Sequence, residues 1–276
     1  MIRRDAGDHF LLITQHDHAL LAGQLARRIG NERFATPSAR EAVIDAIAQH
    51  DCGWPLHDDA PTLNKDGLPL HVFESPVPLA TRVWGASVTG AMARGDYQGL
   101  LVSLHVFGLS AIYLAHAAEP SRPDVFEMNK FQHRQIEIED TLRQRLGLNT
   151  QAPLHLGLAR PGTSPADDQL LYNFRLLTLM DRISLALCCG KDLFPTVNDV
   201  YTRPPQPGDQ PVPLSLTMPN PATMQINPWP FDRPQLNMTI PARRLPRTPF
   251  PSTESFQSAY TTAPIEQLML TVQTAS

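Results

Sequence analysis

All ten histidines of this 276-residue chain lie before Gly157, and 15 of its 27 prolines lie after Val200. Proline removes a backbone donor and clashes with the preceding helical turn, so the region past residue 200 cannot form long helices. The histidine-bearing region carries helical periodicity instead. The chain thus divides into two parts with different physics, expected as 1–195 and 196–276.

In the first part, Phe10 to Ile13 is a short apolar run that suits a single strand. Thr14 suits an N-cap, with Asp17 at the capping-box position, and a helix follows through Ala19, Ala22 and Ala26. Thr36-Pro37 is expected to open a second helix, carrying Ala42, Val43, Ala46, Ile47 and His50, with Gly53 as its stop. The segment 54–78 holds five prolines and must be an ordered loop. Further helices are expected over 79–94, 99–118, 124–147 and 167–189. After Tyr201 the period changes to two, in Leu214–Met218, Met224–Ile226, Leu236–Ile240 and Leu268–Val272. These read as a small antiparallel extension packed on the helices, because about seventy residues hold little core of their own.

Composition narrows the function classes. The formal net charge is −4, which disfavours a nucleic-acid duplex as partner. The most apolar run, Leu100–Ala118, is broken by Ser103, His105, Ser110 and His116 and reads as a buried helix, with no membrane span. The start, MIRRDAGDHF, lacks the apolar stretch of a signal peptide. Three cysteines, Cys52, Cys188 and Cys189, form no disulfide framework. A soluble, cytoplasmic protein is expected.

Four places combine a metal-capable side chain with helical, apolar surroundings: His16-Asp17-His18, His50-Asp51, His105 and Asp181. Asp181 is the most informative. It sits among Leu176, Leu177, Leu179, Met180, Ile183, Leu185 and Leu187, where a carboxylate costs several kcal/mol unless paired or metal-bound. An imidazole beside a carboxylate, as at His50-Asp51, suits a first-row divalent ion. A lone His-Asp dipeptide is weak evidence, and a lone histidine such as His105 is more often a hydrogen-bonded core residue.

The order His, then His-Asp, then Asp, each on a helix, resembles the HD superfamily of metal-dependent phosphohydrolases. More narrowly, LLITQHDHALLAGQLA, AIAQHDCGW, LLVSLHVFGLS, NFRLLTLMDRISLALCC and the tail motif NPWPF resemble the bacterial family DUF3891. The resemblance implies a mainly α fold, an HD-like helical bundle with a small antiparallel, proline-rich β extension. It implies a divalent transition metal (Mn, Fe, Zn, Co or Ni) held by His18, His50, Asp51 and Asp181, with His16 as the alternative first ligand. The chain lacks the adjacent paired histidines of the cyclic-dinucleotide phosphodiesterase subgroup. Asp51 would orient water, His105 would contact phosphate or add a ligand, and Arg182 would neutralise it. Trp54 and Phe73 would wall the pocket, with His16 near it. The expected partner is a small phosphorylated substrate. A di-iron oxygenase of the inositol-oxygenase type and a non-catalytic metal sensor are the competing readings.

Overall fold

A computed structural model describes residues 1–116, 122–149 and 164–275. The chain begins with strands β1 (Ile2–Asp5) and β2 (His9–Ile13). Helices α1 (Gln15–Ala26), α2 (Arg40–Gln49), the single turn α3 (Pro55–Asp58), α4 (Val77–Arg94), α5 (Asp96–His116), α6 (Arg122–Arg145) and α7 (Pro165–Cys189) follow. Then come β3 (Thr196–Val200), β4 (Val212–Asn220), β5 (Thr223–Asn227), β6 (Gln235–Pro246), helix α8 (Thr253–Thr262) and β7 (Ile265–Thr274). The last two residues of the helix expected over 99–118 lie outside the described residues.

Local chemistry sets several boundaries. Thr14 caps α1 from an extended backbone, its Oγ1 accepting from Asp17 N at 3.0 Å. The second helix starts later than Pro37, because Ala39 turns the backbone through the left-handed region at φ 55° before Arg40. Ser164 caps α7 in the same way as Thr14, and Pro165 occupies its first turn. Gly190, at φ 67°, ends that helix in the left-handed conformation that glycine adopts without steric cost.

The expectation of a mainly α bundle with a small antiparallel extension is overturned. The chain is 49% helical and 21% strand, and its strands form one curled, mixed, seven-stranded half-barrel. The order is β1-β2-β6-β7-β5-β4-β3. β2 pairs antiparallel with β6, Phe10 opposite Leu245, so strands from both ends of the sequence share the sheet. β5 and β7 are parallel, which makes the sheet mixed.

The physical reason lies in two places. The charged opening Ile2-Arg3-Arg4-Asp5 does not look like a strand, yet Arg4 is buried by donating to the carbonyls of Leu187 and Pro221. The period-two runs of the tail also bury more than a satellite sheet needs. Leu214, Leu216, Met224, Ile226, Leu236, Ile240, Leu270 and Val272 belong to the same apolar core as α1, α2, α5 and α7. A second, smaller cluster lies under α8, where Phe256 and Tyr260 cover Phe10, Leu12 and Leu245.

α1 and α7 pack side by side against the sheet, α2 packs on both of them, and α5 lies behind α2 and α7. Gly23 permits the close approach of α1 and α2, since a Cβ there would lie 2.5 Å from the Cβ of Ala48. α5 is long and apolar enough to cross a membrane, but more than half of it is buried within the fold, as befits a core helix.

Candidate metal centre

Three helices and one helix end bring distant residues to a common point. His18 projects from the second turn of α1, His50 and Asp51 terminate α2, and Asp181 lies in the middle of α7. The Nε2 atoms of His18 and His50 are 3.2 Å apart. Asp181 Oδ1 lies 3.2 Å from His18 Nε2 and 3.4 Å from His50 Nε2. Asp51 Oδ2 is 3.6 Å and 3.7 Å from the same two nitrogens. His105, from α5, joins the edge of the group with Nε2 3.9 Å from Asp181 Oδ2. His18, His50, Asp51 and His105 are buried.

The outer nitrogens fix the imidazoles. His50 Nδ1 donates to the carbonyl of Ile47 at 2.7 Å. Ser184 Oγ donates to the carbonyl of Asp181 and therefore accepts from His18 Nδ1, 2.9 Å away. Each ring thus commits its Nδ1 proton outward and turns Nε2 toward the centre, the arrangement in which a histidine binds metal. Gln15 Nε2 donates to Asp51 Oδ2 at 3.3 Å, and Gln15 N donates to Asp58 Oδ2 at 2.7 Å, which anchors the start of α1.

The electrostatics favour positive charge at the centre. Burial pulls the His50 pKa down, but Asp51 and Asp181 outweigh it and hold it at about 9. Burial would raise Asp181, yet hydrogen bonds from His18 and His50 keep it well below the ordinary carboxylate value. Burial raises Asp51. His105 goes the other way: burial, offset only in part by Asp181, pushes it down to about 3, so it is a neutral imidazole.

These residues could hold a metal ion. Donor atoms of His18, His50 and Asp51 lie within 4.8 Å of one another, as do those of His50, His105 and Asp181. Imidazole nitrogens and carboxylate oxygens are both metal-ligand atoms.

The remaining expected residues fall as follows. His16 is half-buried and lies outside the cluster, its Nδ1 without a hydrogen-bond partner among the described residues. Trp54 and Phe73 line a cavity of about 460 Å³ that reaches Asp51, His105 and Asp181. Trp84 lines it as well. Arg182 opens on a smaller cavity beside His105 and Asp181, where its Nη1 lies 2.7 Å from Asp199 Oδ1. Arg175 grips the other oxygen of Asp199 at 2.8 Å. Sequence reasoning missed Gln15, Ser184 and Asp199. Only Gln15 left a signal: a polar residue at the first position of a capped helix, three residues before His18.

A buried group of two histidines and two aspartates, drawn from helices far apart in sequence, defines a candidate metal-binding protein. The chain belongs to the family described as protein of unknown function (DUF3891), which matches residues 1–247. Neither the curated proteins nor the solved structures contain a match.

Proposed function

We propose that this protein is a metal-dependent phosphohydrolase acting on a small phosphate ester or nucleotide, related in its ligand pattern to the HD superfamily. The observation that carries the reading is the meeting of His18, His50, Asp51 and Asp181 at one point, with guanidinium groups close by. A bound divalent ion would lower the pKa of a coordinated water and polarise a phosphoryl oxygen.

The chain's own residues do the rest. His18 and His50 offer Nε2, and Asp51 and Asp181 offer carboxylate oxygens. Gln15 orients Asp51, the group placed to position the attacking water. Arg182 and Arg175 share one carboxylate, so their pair keeps a net positive charge for a phosphate. Hydrolysis forms a phosphorus–oxygen bond to water and breaks the one to the alcohol, which leaves with a proton from the water.

His105 favours a second reading, a di-iron centre that activates oxygen, because it adds a third imidazole beside Asp181. A phosphatase and nucleotide screen across Mn, Fe, Co, Ni and Zn, with Asp51→Ala as control, tests the first reading. Phosphate release that vanishes in the variant is the expected result. Two bound irons with an optical change on exposure to oxygen, and no phosphate release, would replace it with the second. Metal binding with neither activity would leave a sensor.

A further inference from the structure

Asp181 and His105 line two cavities, only one of which carries arginines among the described residues. The smaller, about 210 Å³, adds Arg175, Thr178 and Arg182. The larger, about 460 Å³, runs along Trp54, Trp84, Leu109, Ile112, Tyr113 and Leu185. Among the described residues no lysine or arginine lines the larger cavity. Its volume suits a small organic ligand, for which apolar walls and a few polar groups are the usual pattern.

Two polar atoms of this apolar cavity's residues lack partners. Gln15 Oε1 and Trp54 Nε1 are buried without a hydrogen bond among the described residues, although both side chains line the cavity. A buried acceptor and a buried donor left unpaired cost free energy that a bound ligand can recover. On the basic side, Arg175 Nε is likewise buried and unpartnered, while Asp199 alone balances two guanidiniums.

We propose that the ligand is amphiphilic: an aryl or alkyl phosphomonoester. Its single phosphate lies at the histidine–aspartate cluster on the arginine side, and its uncharged ring or chain fills the larger cavity, with a hydrogen-bonding substituent for Gln15 and Trp54. The phosphate half of this assignment rests on the phosphohydrolase reading; the apolar half rests on the cavity alone. A nucleoside triphosphate or a sugar phosphate fits poorly. Their charged or hydroxyl-rich bodies would enter a cavity that offers no cation and few polar groups.

Two measurements on the full-length, manganese-loaded protein test this. The first compares kcat/KM for 1-naphthyl phosphate with ribose 5-phosphate and ATP, where a preference on the order of 100-fold is expected. The second follows binding of 1-naphthol by quenching of tryptophan fluorescence, with no turnover needed. Ile112→Asp and Phe73→Ser, both at exposed positions of the cavity wall, should each weaken naphthol binding about tenfold or more while leaving the circular dichroism unchanged. Naphthol binding that responds to both variants, with no phosphate released from any ester, supports the apolar assignment and sinks the phosphohydrolase reading. Hydrolysis of ribose 5-phosphate or ATP at least as efficient as that of the naphthyl ester, with naphthol unbound or indifferent to the variants, overturns the amphiphile and keeps the hydrolase. Absence of both binding and hydrolysis overturns both.

Discussion

His50-Asp51 and His57-Asp58 are the same dipeptide, a few residues apart, and all four side chains are buried. Their surroundings separate them. His57 closes on its own neighbours, with Nδ1 3.0 Å from Asp58 Oδ1 and Nε2 3.3 Å from Thr62 Oγ1. Asp58 spends its other oxygen on the backbone N–H of Gln15. Every polar atom there has a local use, and the pair acts as a clamp on α1. His50 and Asp51 instead face His18 and Asp181, which offer more lone pairs than protons. A dipeptide is therefore no site by itself; the convergence of metal-capable lone pairs from other helices is what makes one.

The largest contrast between the two pairs is expected in metal affinity. Asp51→Ala should weaken Mn binding by about 1,000-fold or more, read by isothermal titration calorimetry, because a ligand is lost outright. Asp58→Ala should leave that affinity within about threefold once the protein is folded. Equal losses would erase the distinction. Stability should show the reverse order. Asp58→Ala removes a buried, multiply bonded carboxylate and should cost about 3 kcal/mol in urea unfolding of the metal-free protein, more than Asp51→Ala does.

A third histidine sharpens the comparison through pH. His71 is buried, and desolvation, reinforced by Arg3, pushes its pKa from 6.5 to about 4. The folded protein thus holds it neutral. Its contribution to stability is complete above pH 6.5 and is lost as the pH falls through 4. The total is about 3 kcal/mol, at a slope of up to 1.4 kcal/mol per pH unit. His71→Asn keeps a side chain able to cap Phe73 N but does not titrate in this window. Urea midpoints of that variant should lose this slope between pH 6.5 and 4; an unchanged slope would place the titration elsewhere.

The smallest expected effect concerns orientation. Ser184→Ala removes the acceptor for His18 Nδ1 and should weaken metal binding about tenfold with all ligands in place. No change would mean that packing alone holds the ring.

The helices were legible because their signals are local. Thr14 marks the start of α1, and the apolar periodicity marks the faces of the longer helices. The four ligand candidates were legible for a related reason: a carboxylate at 181 inside an apolar helix is costly in any fold, so it demands a partner. The sheet was not legible as a whole. β1 carries two arginines among its four residues, and nothing local reveals that Arg4 will find the carbonyls of Leu187 and Pro221. The second neighbour of β2, β6, is equally remote in sequence. Asp199 was missed because its role depends on a strand lying beside α7, which no periodicity encodes. Which of His16 and His18 faces the cluster turned on helix rotation, and His18, buried against Ser184, is the one that joins it.

The pairing of Phe10 with Leu245 also sets a clock. A ribosome adding roughly 5–20 residues per second would release β2 some 10–50 s before its neighbour β6 exists. Throughout that interval Phe10, Leu11, Leu12 and Ile13 form a sticky segment with one edge unpaired, β1 being its only available neighbour. Sheet closure must then join residues about 235 positions apart, a slow event by the standards of local contacts. A nascent chain of this protein is therefore a natural customer for holding chaperones, and a chain stalled before residue 246 should aggregate through the open edge of its second strand.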